Sequence, residues 1–225
     1  SLEYNNSMEE IKSVVDKMIG SDADEKLILK SVEGFTIKPL EVESIKTIDL
    51  NSFPSDIEVT TNIIPTSESI LDATVIHNAG ASIIQEVSFI LDSFSKLLEN
   101  QKVEIHLCCD SLYFSNISKL RAIRFCCERM IEESNSSLHF TITAHNSLRE
   151  QTLFDPWVNM LRSTSSSMAA IIGGANSISS LSYDHLYSTV SGTKKSDLGQ
   201  RQADNSLKVL LEESHMNRVE DALKG

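Results

Sequence analysis

The alternation of apolar and polar side chains is sharpest in two short segments. In VEIHLCC (103–109), Val103, Ile105, Leu107 and Cys109 fall on one face of an extended chain, with Glu104, His106 and Cys108 on the other. In LHFTITAH (138–145), Leu138, Phe140, Ile142 and Ala144 oppose His139, Thr141, Thr143 and His145. A period of two predicts strands. Each strand gives way to helical spacing. Ile117, Leu120, Ile123, Cys127 and Met130 share one face of a long helix, and Asp155-Pro156 opens another that carries Met160, Leu161, Met168 and Ile171. ILDATVI (70–76) reads as an earlier strand. It precedes a helix carrying Ile83, Ile84, Val87, Ile90, Leu91, Phe94 and Leu98, with Ser82 and Gln85 spaced as a capping box. SISSLS (177–182) reads as a fourth strand, 185–196 as a loop, and Leu207, Leu210 and Leu211 as the apolar side of a last helix.

The pattern is weaker before residue 70. An amphipathic helix is expected over about 8–19, then a hairpin or arm in LILKSVEGFTIKPL around Val32-Glu33-Gly34. IEVTTNII (57–64) reads as a strand between Pro54 and Pro65, and Thr66 to Ser69 as polar connection. The division expected is 1–45 for the helix and arm, and 46–225 for one β/α domain.

Strand–helix units in succession imply an α/β protein with a parallel sheet. Right-handed crossovers curl such a series into a (β/α)-barrel, and eight units need about 250 residues. This chain has 225 residues, so the expectation is a partial or abridged (β/α)8 TIM-type barrel. Barrels ordinarily fill the lumen with Val, Ile and Leu, whereas the polar strand faces here would line it with His, Glu and Thr. Either a polar ligand passes along the axis, or the sheet is open on that side and meets water.

Composition narrows the partners. A net charge of −12 argues against nucleic acid and against an anionic membrane surface. No run of eighteen apolar residues suggests a membrane span, and EEIKSVVDKMIG lacks the apolar core of a signal peptide, so a cytoplasmic protein is expected. The four cysteines form two adjacent pairs, Cys108-Cys109 and Cys126-Cys127, without zinc-ligand or CxxC spacing. Buried reduced thiols fit better than a metal site or a disulfide.

Five peptides stand at strand-to-helix junctions or on the helices: HNAGAS (77–82), KLRA (119–122), DPWVNMLR (155–162), GGAN (173–176) and LLEESHMNRV (210–219). In this order they resemble the barrel domain of the cobalamin-dependent methylmalonyl-CoA mutases over about 70–220, and EKLILKSVEGFTIKPL resembles the family's N-terminal arm. HNAGAS is similar to the form in the small, non-catalytic subunit. The resemblance implies a (β/α)8 barrel around the pantetheine arm of coenzyme A, and a separate flavodoxin-like domain for cobalamin. The isomerase reaction implied is radical interconversion of methylmalonyl-CoA and succinyl-CoA.

The same resemblance tests for catalysis. Catalytic members carry a Tyr-His pair that shields the radical and holds the thioester carbonyl, and alignment on Ala79-Gly80-Ala81 puts Thr74 and Val75 there. The Ser-x-Phe that contacts CoA falls on Glu104-Ile105-His106, and the His-x-Gln pair on Thr143-Ala144-His145. The Arg-Pro-Trp stretch and the carboxylate-holding arginine have no counterpart, a short link at 44–70 standing in their place. No Asp-x-His-x-x-Gly for a cobalamin ligand appears, and the chain stops after RVEDALKG, where the family continues into further barrel.

The resulting expectations are no catalytic residues, and no cofactor bound by this chain, adenosylcobalamin belonging to a catalytic partner. The candidate substrate-binding, lumen-facing residues are His77, Glu104, His106, His139 and His145. A metal site at His106 and His145 is weighed and set aside, because such spacing arises on any polar strand face. Ser191 to Ser196 echoes a phosphate loop without its pattern, Gly173-Gly174 reads as a helix stop, and Asp155 and Arg162 as capping and pairing residues. Glu212-Glu213 would oppose a helix dipole. The leading expectation is a structural, stabilising partner of a large mutase subunit in a heterodimer, with a homodimer as the other assembly. The alternatives are a module that binds a CoA thioester through its polar lumen, and a fragment of a larger mutase.

Overall fold

The computed structural model describes residues 13–14, 16–18, 29–30, 36–37, 58–59, 69–99, 102–192 and 197–217. The chain divides into two compact units, 1–49 and 50–225. In the first, residues 13–14 and 16–18 are helical, where a helix is expected. β1 (Leu29–Lys30) pairs antiparallel with β2 (Thr36–Ile37), Leu29 opposite Ile37, which is the expected hairpin.

The second unit is an α/β layer around one parallel sheet. Its strands are β3 (Glu58–Val59), β4 (Ser69–Asp72), β5 (Lys102–Cys109), β6 (His139–Asn146) and β7 (Ser177–Ser179). The helices are α1 (Thr74–Asn78), α2 (Ile83–Ser95), α3 (Tyr113–Ser134), α4 (Pro156–Gly173), α5 (His185–Ser191) and α6 (Asp197–Lys208), and a π turn at Val209–Glu213 continues α6. The spatial order is β3-β7-β6-β5-β4, every pair parallel. β4 to β7 are successive neighbours, as in a segment of barrel. β3 precedes β4 in the chain yet lies against β7, at the opposite edge. The parallel α/β part of the expectation is met: among the described residues the strands form a five-stranded parallel sheet with β3 and β4 at its edges, and a full barrel is not seen.

The apolar strand faces meet the helices, as the alternation requires. Val103, Ile105, Leu107, Leu138, Ile142 and Ala144 join Ile90 and Phe94 of α2 and Leu120, Ile123 and Cys127 of α3 in one buried cluster. Each large side chain so buried contributes about 1.5–3 kcal/mol. Phe94 meets Phe140 edge to face at 5.5 Å.

Three local expectations fail for identifiable reasons. The strand expected over 70–76 ends at Asp72, because Asp72 Oδ1 accepts from both the Thr74 N–H and the Thr74 hydroxyl, turning the chain into α1. The loop expected at 185–196 begins with α5, where the apolar Tyr187 and Val190 point outward and so leave no amphipathic signal. Leu161 of α4 is exposed. The helix instead buries Asn159, Ser163, Ser166, Ser167 and Ala170, small enough to approach β6. The capping box forms as expected, with Ser82 and Gln85 bonded reciprocally. Asp155 stands at the N-cap of α4 without a side-chain bond, and Arg162 donates to the Glu150 carbonyl instead of pairing with a carboxylate.

Among the described residues, no helix is long and apolar enough to cross a membrane.

Candidate functional site

Two polar clusters lie along the sheet, one at the carboxyl ends of β4, β5 and β6 and one on the polar strand face. Carboxyl ends of parallel strands are where α/β proteins bind their ligands.

The first cluster is built from helix α1 and its neighbours. His77 Nδ1 donates to Glu86 Oε1 on α2 at 2.6 Å, and His77 Nε2 lies 2.8 Å from the Ser147 hydroxyl just after β6. Lys119 of α3 reaches the other Glu86 oxygen at 2.8 Å and the Cys108 carbonyl at 2.7 Å. Burial pushes the Glu86 carboxyl up, but the His77 hydrogen bond and the Lys119 charge more than offset this, leaving it below the usual range. Arg149 extends the network, donating to the His77 and Ala81 carbonyls and to Asp110 Oδ2. Burial opposes ionisation of Asp110, yet bonds from Asn116, the Leu112 N–H and Arg149 hold its carboxyl low.

Serine, imidazole and carboxylate in line resemble a nucleophilic triad. The resemblance stops at access. His77, Glu86 and Ser147 are each 1% exposed or less, so no substrate carbonyl can reach the hydroxyl. Glu86 is also shared with an ammonium. The cluster ties four successive elements together.

The second cluster contains three of the five candidate residues. Strand register aligns Asp72, His106, Thr143 and Ser177 in one row, and Cys108, His145 and Ser179 in the next but one. His145 Nε2 lies 3.1 Å from His106 Nδ1, and the rings stack obliquely at 5.1 Å. Thr143 donates to Glu104 Oε1 at 3.1 Å. His106 Nε2 is 3.0 Å from the same oxygen, at ion-pair distance but without hydrogen-bond alignment. Burial, followed by the neighbouring His106, pushes His145 down to about 4, so it is a neutral base at physiological pH. Burial likewise pushes the Cys108 thiol up to about 12, which removes it as a nucleophile.

His77 and His139 stand apart from this group. His77 sits on α1 in the first cluster, and His139 is exposed at the start of β6 beside Lys102. On the polar face Glu104, His106, Cys108 and Thr143 are buried, whereas Thr141 and His145 are half-buried. Among the described residues, no group of three or more His, Cys, Asp or Glu could hold a metal ion.

At the positions matched to the catalytic Tyr-His pair, Thr74 spends its hydroxyl on Asp72, and Val75 is 68% exposed with no polar group. Glu86 and Lys119 were missed by sequence reasoning. A charged residue inside an apolar helical pattern signals burial only when its partner is known, and these two lie 33 residues apart.

The recurring peptides have structural work. Gly173 lets α4 pass over α3, where an added Cβ would stand 2.5 Å from Leu120 Cδ1. Gly174 takes a left-handed conformation at φ 85°, and its carbonyl accepts from Arg124. Asn176 accepts from Arg124 and from the Ile142 N–H. Asn159 of DPWVNMLR bonds the Thr152 and Tyr183 carbonyls, and Trp157 stacks on Tyr183 at 4.7 Å.

Comparison with known proteins matches residues 53–225 to the family model described as methylmalonyl-CoA mutase. The arm at 25–40 lies outside this match. The chain is 33% identical over 169 residues to a methylmalonyl-CoA mutase small subunit of Streptomyces virginiae, covering 69% of this chain and 27% of that one. It is 30% identical over 173 residues to the small subunit of Propionibacterium freudenreichii subsp. shermanii, covering 69% and 26%. With a methylmalonyl-CoA mutase of Rhizobium meliloti it shares 26% identity over 189 residues, covering 75% and 25%. The chain thus spans about a quarter of the length of these relatives.

Proposed function

The chain belongs to the methylmalonyl-CoA mutase family, and from that premise we propose that it is a non-catalytic, stabilising partner of a cobalamin-dependent catalytic subunit. The observation that carries this reading is at Thr74 and Val75. A donor to the substrate thioester is needed where valine stands, and the threonine hydroxyl is already bonded to Asp72. Relatives named as small subunits support the same reading.

The residues present do not fit adenosylcobalamin. The sequence has no Asp-x-His-x-x-Gly, and both ring nitrogens of buried His77 are engaged. No step through that cofactor is derived, and in this proposal it resides in the partner. The isomerisation of methylmalonyl-CoA to succinyl-CoA is likewise the partner's.

Co-expression with the catalytic subunit encoded in the same genome tests the reading. A stoichiometric complex, in which the catalytic subunit melts at a higher temperature than alone, is the expected result. Failure of the two chains to co-purify or to shift each other's melting would overturn it.

A second reading rests on the polar strand face, where buried Glu104, His106 and Thr143 meet half-buried His145: a site for a CoA thioester. Calorimetric titration with acetyl-CoA and succinyl-CoA distinguishes the two. Heat with both esters supports this reading, and no heat with either removes it.

A further inference from the structure

One surface of the second unit combines a groove with exposed apolar side chains. α4 on one side, and α6 with its π turn on the other, flank an open groove of about 460 Å³. Met160 and Thr164 line one wall, and Leu198, Arg201 and Val209 the other. Trp157 and Leu161 share a helical face with Met160 and Thr164, and both are well exposed, as is Leu198. Phe154, one residue before the N-cap of α4, is fully exposed. Single apolar residues on a surface need no explanation, but a contiguous set does.

The size of the set can be judged. Aromatic side chains bury about 150–250 Å² each, so Phe154, Trp157, Leu161 and Leu198 together offer on the order of 600 Å². A standard interface takes about 800 Å² from each partner. The π turn adds to this surface, since Val209 and Leu210 line the groove while Leu211 stays buried beneath it. π turns recur at functional positions.

Charge selects the occupant. Arg201 is the one charged residue in the lining, and among the described residues no hydrogen bond or ion pair holds it. A guanidinium in a lining otherwise uncharged is matched by a carboxylate, which accepts two parallel bonds from it. Trp and Arg are also the residue types on which interface energy concentrates. A channel between two helices, lined by Met160, Leu198 and Val209 together with uncharged polar side chains, fits a third, amphipathic helix. A second copy of this chain is a poorer occupant, because each copy carries a net charge of −12.

We propose that the α4/α6 groove docks an amphipathic helix of the catalytic subunit, an apolar anchor resting against Trp157, Leu161 and Leu198 and a carboxylate pairing with Arg201. This inference rests on the partner reading above and names the surface that serves it.

The test uses the full 225-residue chain and the purified catalytic subunit, with affinity measured by calorimetry and mass by light scattering. Leu161→Asp and Arg201→Glu are each expected to weaken the complex at least tenfold. Lys96→Glu, at the exposed end of α2, is expected to leave it unchanged. Matching circular dichroism melts show that the variants fold, and Arg201→Glu alters only an exposed side chain. Undiminished binding by both groove variants would overturn the groove while the partner reading stands. Absence of binding by the unaltered chain would overturn both. Self-association that Leu161→Asp abolishes, without any effect on the catalytic subunit, would overturn the choice of occupant.

Discussion

Lys119 Nζ lies 2.8 Å from Glu86 Oε2, so that an ammonium from α3 and a carboxylate from α2 meet in the interior beneath the carboxyl end of β5. Neither side chain is exposed. The pair is completed by His77 on the second carboxylate oxygen and by the Cys108 carbonyl on the ammonium, leaving no lone charge behind. Buried pairs of this kind do little for net stability, but losing one partner strands the other. Lys119→Met is therefore expected to cost about 3–5 kcal/mol in urea denaturation. A double variant Lys119→Met/Glu86→Gln should lose less than the sum of the two single changes. Additive losses would mean that the two groups do not interact.

The approach of α4 to α3 depends on Gly173. An alanine there would press on Leu120, and overpacking of this kind costs about 1–3 kcal/mol. Gly173→Ala should be less costly in a Leu120→Ala background than in the unaltered chain. Equal cost in both backgrounds would place the strain elsewhere.

The two strands with clean alternation, β5 and β6, were fully legible, because their apolar faces meet helices whose own spacing is regular. What the pattern could not reveal was long-range. Nothing local shows that Glu58–Val59 pairs with β7, at the edge of the sheet opposite β4. The same holds at the candidate site. Glu104, His106 and His145 were legible as one face, since register follows from alternation. His77 does not share that face, because Asp72 ends the strand and α1 begins at Thr74. The wholly buried Glu86 remained invisible because exposure is the ordinary state of a glutamate.

His145 supplies a pH dependence whose sign can be worked out. Its folded pKa of about 4 lies below the ordinary histidine value of 6.5, so an unfolded chain binds the proton first. The contribution to stability is present above pH 6.5 and is lost as the pH falls toward 4, at up to about 1.4 kcal/mol per pH unit. Nuclear magnetic resonance titration of His145 should show a midpoint near 4. A midpoint of 6 to 7 would contradict the buried contact with His106.

The thiols set the opposite limit. Burial pushes Cys108, Cys109 and Cys127 up to about 12 from 9.0, so the stability they lend is full below pH 9 and is lost as the pH rises toward 12. At pH 7.5 the native chain should react with iodoacetamide at Cys126 first, since Cys126 alone of the four is partly exposed. Rapid labelling of Cys108 in the folded chain would contradict its burial.

The proposal that this mutase-family chain carries no isomerase chemistry of its own is tested most directly by turnover. The purified chain is incubated with methylmalonyl-CoA and adenosylcobalamin, and succinyl-CoA is measured by mass spectrometry. The account predicts no succinyl-CoA above the protein-free control, because Thr74 and Val75 stand at the positions matched to the catalytic Tyr-His pair. Steady formation of succinyl-CoA by the chain alone would contradict it.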